Sequence, residues 1–269
     1  MAARASHVCA AALLAALPML TGCRALQNAL LFYPQPPAAV VPAPPAGWRA
    51  EPIALERPGG VTLHGWLVLP SRSPAGAVVY AGGNAEEVSW LVGYADRFGG
   101  RAVALVNYRG FGGSGGKPSE EALVGDAVAV HDWLAVRDDV ETGRIAAMGR
   151  SLGAGIAVRL AARRPVDRVV LVSPYDSIEA VGAHHLPAAL VRALIADRYD
   201  AKALAPSLAM PMLAVVAGRD DVIPVERSKS LRDAWGGPAR WLELPRAGHN
   251  DLQEHLPFWS EIGAFLAAS

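Results

Sequence analysis

Short apolar runs, four to seven residues long, recur between residues 63 and 244 and are separated by longer stretches with helix-like mixing of apolar and polar positions. The runs are Leu63–Leu69, Ala77–Ala81, Ala102–Asn107, Ile145–Met148, Val169–Ser173, Met212–Ala217 and Trp241–Leu244. Their near-continuous Val, Leu, Ile and Ala content predicts strands buried on both faces. Helices are predicted over Ala85–Phe98, Ser119–Val136, Leu152–Arg163, Ile178–Asp197, Val225–Trp235 and Leu252–Ala267. Glu120 and Glu121 follow Ser119 in the first turn of one of them, where negative charge complements the helix dipole. Strands alternating with helices predict an α/β fold with a mainly parallel central sheet and helices on both faces. In such sheets functional groups gather on the loops at the carboxyl ends of the strands.

The chain before residue 48 follows other rules. Val8–Leu20 is almost wholly apolar, yet as a helix its 13 residues would reach only about 20 Å, short of the roughly 30 Å hydrocarbon core of a bilayer. Arg4 is the only charged side chain before Arg24, so residues 1–22 read as a signal peptide rather than a membrane span. Six of the 14 residues from Pro34 to Gly47 are proline, a composition that favours extended geometry. Residues 23–47 therefore read as a tether or a surface strap, and 48–269 as one domain. The 25 Lys and Arg balance the 25 Asp and Glu, which removes the basic footprint of a nucleic-acid binder. The two cysteines, Cys9 and Cys23, both precede the body, so neither a disulfide framework nor a cysteine metal site holds the fold.

Gly-x-Ser-x-Gly occurs twice, as Gly149-Arg150-Ser151-Leu152-Gly153 and as Gly112-Gly113-Ser114-Gly115-Gly116. A nucleophile elbow needs a strand running into the turn and a helix leaving it at once. Ser151 has both, between Ile145–Met148 and Leu152–Arg163; Ser114 sits among glycines ahead of Lys117-Pro118 and reads as a loop hydroxyl. Gly110-Phe111-Gly112-Gly113-Ser114-Gly115 also satisfies the dinucleotide-binding pattern, which raises an NAD-dependent oxidoreductase as a rival. Lys117-Pro118 parts those glycines from the next helix, however, and the next strand ends in Gly149-Arg150 where a ribose-binding acid is wanted.

A serine hydroxyl needs a neutral imidazole to take its proton and a carboxylate to orient that imidazole; after an elbow the chain order is Ser, acid, His. Of His184, His185, His249 and His255, only His249 follows a strand end through a loop, beside Gly248, which is read as permitting a close turn. The acid is expected after Met212–Ala217, where Asp220 and Asp221 both qualify; Asp176 is a third candidate.

With these residues in place the chain resembles the alpha/beta-hydrolase superfamily, and within it serine aminopeptidase-like, membrane-anchored hydrolases. The resemblance rests on Tyr80-Ala81-Gly82-Gly83-Asn84-Ala85, Asn107-Tyr108-Arg109-Gly110-Phe111-Gly112, the Ser151 elbow, Gly218–Pro224 and Gly248-His249-Asn250-Asp251. It implies Asp220 as the acid, because the family pattern Asp-x-Val/Ile-Val/Ile-Pro falls there. It implies an oxyanion hole at the backbone N–H groups of Leu152 and Asn84, with one departure: similar sequences have His-Gly-Asn where this chain has Gly82-Gly83-Asn84.

The resemblance also implies a serine hydrolase that acts on an ester, thioester or amide of a small acyl substrate and needs no metal or organic cofactor. A non-catalytic binding or scaffold protein on the same fold is the alternative. Residues 176–211 fall at the usual lid position of this fold. There Leu186, Leu190, Val191, Leu194 and Ile195 recur at helical spacing, as a cover for a small acyl pocket or as ordinary core. Leu20-Thr21-Gly22-Cys23 resembles a bacterial lipobox, which implies a lipidated Cys23 and a membrane-anchored place in the cell envelope; Arg24 after it points to the outer membrane.

Overall fold

The computed structural model describes residues 31–195 and 197–268. The signal segment and Cys23 lie outside the described residues. Among those described, no helix is long and apolar enough to cross a membrane.

Eight strands form one sheet: β1 (Trp48–Arg57), β2 (Val61–Pro70), β3 (Ala75–Ala81), β4 (Ala102–Val106), β5 (Val140–Arg150), β6 (Val169–Val172), β7 (Met212–Ala217) and β8 (Ala239–Leu244). Their spatial order is β1-β2-β4-β3-β5-β6-β7-β8. β2 pairs antiparallel with both β1 and β4, and every pair from β4 to β8 is parallel. The helices are α1 (Glu120–Ala135), α2 (Leu152–Ala161), α3 (Ile178–His185), α4 (Ala188–Leu194), α5 (Val225–Ala234) and α6 (Phe258–Ala267). This is the alpha/beta-hydrolase fold.

Alternation along the strands feeds two apolar cores. Ala77, Val79 and Ala81 of β3 face one, with Leu123 of α1, Ile156 of α2 and Leu231 of α5. Val78 and Tyr80 face the other, with Leu91 and Ile262. Each fully buried Val, Leu or Ile contributes about 1.5–3 kcal/mol relative to an exposed one, and all seven residues of β3 are buried.

β1 lies outside the expected runs. It is an edge strand in which Ile53 is the one buried position, and Pro52, which cannot donate to a ladder, is tolerated at an edge. Residues 85–98 form a 3₁₀ segment, Val88–Arg97, whose start is displaced because the Glu87 carboxylate accepts from Ser89 N. The helix expected over Ile178–Asp197 is two helices, because Pro187 lacks the N–H and the ring room a continuous helix needs. Pro257 likewise divides the last one into a 3₁₀ turn, Leu252–Glu254, and α6.

From β3 the chain crosses to β4 on one side, and β5 then lies against β3 on the other. The loops leaving the carboxyl ends of β3 and β5 are therefore neighbours, with Ala81 opposite Gly149, and a crevice opens between them.

Candidate active site

Ser151 stands between β5 and α2 with φ 52° and ψ −120°, a conformation L residues rarely adopt and one that costs roughly 1–3 kcal/mol. Two glycines make the turn possible. A Cβ on Gly149 would collide with the carbonyl of Gly153, and one on Gly153 with the carbonyl of Ala81, so any side chain there would push α2 off the sheet. Ser151 N donates to Val172 O at 2.8 Å, tying the strained residue to β6.

His249 Nε2 lies 3.0 Å from Ser151 Oγ, and His249 Nδ1 lies 2.9 and 3.0 Å from the two oxygens of Asp220. The loops carrying Asp220 and His249 are stitched together by Gly218 N to Leu244 O and Arg219 N to Ala247 O, both 2.9 Å. Gly248 is not what turns the histidine loop: a Cβ there would meet only ordinary contacts. The turn is held instead by the Asp251 carboxylate, which accepts from Gly248 N at 2.7 Å.

Asp220 is almost fully enclosed and accepts from Ser173 Oγ (3.0 Å), Val222 N (3.0 Å) and Ile223 N (2.8 Å) besides His249. Burial works to raise its pKa. The His249 interaction and the two backbone donors outweigh burial, so the carboxyl sits below its ordinary value and stays anionic around neutral pH. Asp221 is exposed. Asp176 is taken up by Ser177 N and Arg227, and His255 pairs with Asp251 away from the serine. Ser114 is buried in a structural role, accepting from His64 N at 2.8 Å and donating to Asn107 O at 2.9 Å.

A cavity of about 220 Å³ opens on Ser151. Asn84 and Leu152 line it beside the serine; Leu152 opens α2, whose first N–H groups have no intrahelical partner and carry the positive end of the helix dipole. The remaining walls are apolar. Leu186 and Ile195 line the cavity from the lid region along with Val191, which is buried, whereas Leu190 is half-exposed and points elsewhere. The side chain of Leu194 lies outside the described residues. His185 Nε2 sits 3.0 Å from Val222 O and joins the end of α3 to the Asp220 loop.

Several walls were not evident from motifs. Tyr175, Ile178, Val222 and Ile223 flank the expected site, but Leu31 comes from the far end of the chain. Residues 31–47 form a strap across the carboxyl-end loops: Tyr33 N donates to Asn84 O and Gly112 N donates to Gln35 O, both 2.9 Å. Phe32, 4% exposed, anchors the strap in the core.

Comparison with known proteins agrees with this architecture. Residues 60–209 match the family model described as X-Pro dipeptidyl-peptidase (S15 family). An uncharacterized protein of Mycobacterium tuberculosis (strain CDC 1551 / Oshkosh) is 37% identical over 255 residues, 92% of this chain and 89% of that protein. Among solved structures, the acetyl xylan esterase of Paenibacillus sp. R4 superposes with TM-score 0.67 at 20% identity, covering 91% of this chain and 92% of that one. The esterase Pf2001 of Pyrococcus furiosus gives TM-score 0.65 at 19% identity, covering 86% and 98%. The chain belongs to the X-Pro dipeptidyl-peptidase (S15) family within the alpha/beta-hydrolase superfamily, and is a hydrolase.

Proposed function

We propose that the protein is a serine hydrolase that cleaves carboxylic esters of apolar acyl groups through an acyl-enzyme. The observation that carries this reading is His249 bridging Ser151 Oγ and the Asp220 carboxylate at 3.0 and 2.9 Å. Ser151 Oγ attacks the ester carbonyl carbon as its proton passes to His249 Nε2. Asp220 holds the imidazole with Nδ1–H toward itself and stabilises the imidazolium. The carbonyl oxygen becomes an oxyanion held by the N–H groups of Leu152 and Asn84, each such donor contributing about 3 kcal/mol to the transition state. Collapse breaks the C–O bond, and His249 protonates the departing alkoxide. Water, deprotonated by His249, then attacks the acyl-serine and releases the carboxylic acid.

The apolar walls favour an ester over a peptide. Removing a dipeptide from the amino end of a chain requires a partner for a cationic amine, and among the described residues no Asp or Glu lines the cavity. Thioesters share the acyl half and are accepted on the same grounds. A fluorophosphonate probe labels wild type and Ser114→Ala but not Ser151→Ala; labelling that survives Ser151→Ala rejects the mechanism, and a wild type inert to the probe favours a scaffold role.

The lipobox-like Leu20-Thr21-Gly22-Cys23 supports a lipid anchor at Cys23 and a place on the bacterial envelope. Leu31 follows Cys23 by eight residues, a reach of at most about 28 Å, so an anchor there keeps the cavity close to the bilayer surface. A palmitate analogue should label the wild type and be lost in Cys23→Ala; equal labelling of both refutes the anchor.

A further inference from the structure

The peptide unit between Gly82 and Gly83 is clamped at both ends. Its oxygen accepts from Tyr108 Oη at 2.7 Å, and its N–H donates to Glu86 Oε2, also at 2.7 Å. Two peptides further on, Asn84 O accepts from Tyr33 N at 2.9 Å. The peptide that carries the Asn84 N–H lies between these two fixed units. Without the clamp, consecutive glycines at 82 and 83 would leave its direction poorly defined, because glycine populates regions closed to other residues.

Glu86 is itself locked. Its Oε1 accepts from Tyr80 Oη at 2.9 Å and from Trp90 Nε1 at 3.1 Å, Arg150 Nη1 lies 3.8 Å from Oε2, and the side chain is 8% exposed. Tyr80 belongs to β3, and Arg150 immediately precedes Ser151. One carboxylate thus joins the loop bearing Asn84 to the turn bearing the serine, across the crevice between β3 and β5. The carboxylate also fills the space beside Gly82, where a Cβ would come within 3.1 Å of Val88 Cγ1 and 3.3 Å of Glu86 Oε2. A side chain at position 82 would therefore require Val88 and Glu86 to give way by a few tenths of an ångström.

We propose that Glu86 is the positioning residue of the oxyanion loop, fixing the Asn84 N–H by gripping the peptide before it. The inference rests on the acyl-enzyme reading, in which Asn84 N–H receives the oxyanion. Glu86 is not among the residues that line the cavity, so its removal weakens transition-state binding more than ground-state binding.

The test measures p-nitrophenyl butyrate turnover per active site, the sites being titrated to completion with a fluorophosphonate, together with the inhibition constant of a trifluoromethyl ketone that mimics the tetrahedral adduct. Glu86→Ala lowers kcat by about 10- to 100-fold, leaves KM within about twofold and weakens the ketone by the same factor as kcat. Glu86→Gln, which retains an oxygen for Gly83 N–H, recovers part of the loss. Tyr108→Phe, which frees the other end of the same peptide, gives a smaller loss in the same direction and serves if Glu86→Ala does not fold. Titrated sites of Glu86→Ala turning over at the wild-type kcat, or a rise in KM alone, overturn the proposal. A wild type whose turnover is unchanged by Ser151→Ala overturns the acyl-enzyme reading instead, so the two failures are distinct.

Discussion

An acyl group entering the cavity leaves water for walls of Leu, Ile, Val and Tyr, and the cavity volume sets where that gain stops. Water occupies about 30 Å³ per molecule and a methylene is of similar size, so 220 Å³ accommodates about seven such groups. Each methylene transferred contributes about 0.8 kcal/mol, or about fourfold in kcat/KM. Across p-nitrophenyl esters from acetate upward, kcat/KM should climb about fourfold per methylene and level off between hexanoate and octanoate. Leu31 lines the cavity from the strap, so Leu31→Trp should move the plateau to shorter chains, and Leu31→Ala to longer ones, with acetate turnover little changed. A profile flat from acetate, a rise that continues to palmitate, or faster cleavage of aminoacyl anilides than of esters would each refute the acyl-cavity reasoning.

Two further outcomes follow from the site and the core. In Asp220→Asn, an amide replaces a carboxylate on which Ser173 Oγ, two backbone N–H groups and His249 Nδ1 converge. Its NH₂ must face one of those donors, so kcat per titrated site should fall by about 10⁴-fold; a loss under tenfold would count against Asp220 as the orienting acid. At the opposite end of the sheet, Arg101, 1% exposed, donates to Asp167 and to the carbonyls of Arg144 and Leu266. Burial opposes ionisation of Asp167, but the hydrogen bonds from Arg101 and Arg168 outweigh it and hold its pKa below the ordinary value. A depressed folded pKa contributes stability that is full above about pH 4, the unfolded value, and is lost as pH falls through the folded one. Asp167→Ala strands a buried guanidinium and should cost roughly 3 kcal/mol or more at neutral pH. In urea melts the wild type should lose more stability than this variant on acidification below pH 4, and parallel losses would refute the assignment.

The strands and helices legible in the chain are those whose burial is written locally. β3, β4, β6 and β7 are buried at every position, so their apolar runs stand out against any neighbour. β1 has one buried residue and carries Arg49, Glu51, Glu56 and Arg57 on an edge, so its strand character comes from pairing with β2 and not from its own composition. The early part of β5 behaves alike: Glu141 to Arg144 are at most half-buried, and only the residues from Ile145 onward show the run. Apolar periodicity continues across Leu186-Pro187 and Leu256-Pro257, but proline ends the helical hydrogen bonding at both places.

The same distinction governs the site. Ser151 was legible because the turn's requirements lie within five residues: glycines at 149 and 153 that let strand, turn and helix interpenetrate. The reach from Asp220 to His249 was legible only through chain order and family resemblance: the close approach that requires glycine at 218 is to the backbone of Pro245, a partner distant in the chain, and Gly248 proved incidental to the turn. Glu86 and Leu31 carried no signal at all. One acts through a peptide three residues behind it, a relation any surface glutamate after a glycine pair would share on paper. The other reaches the cavity across more than a hundred residues of intervening chain, from a proline-rich segment that reads equally as tether or strap. What makes it a strap is the burial of Phe32 together with backbone hydrogen bonds, among them Tyr33 to Asn84 and Gly112 to Gln35, made by atoms every residue possesses. The strand-turn-helix that presents Ser151 is thus encoded in side-chain pattern, whereas the wall that Leu31 adds to the cavity is encoded in where the finished sheet leaves its loops.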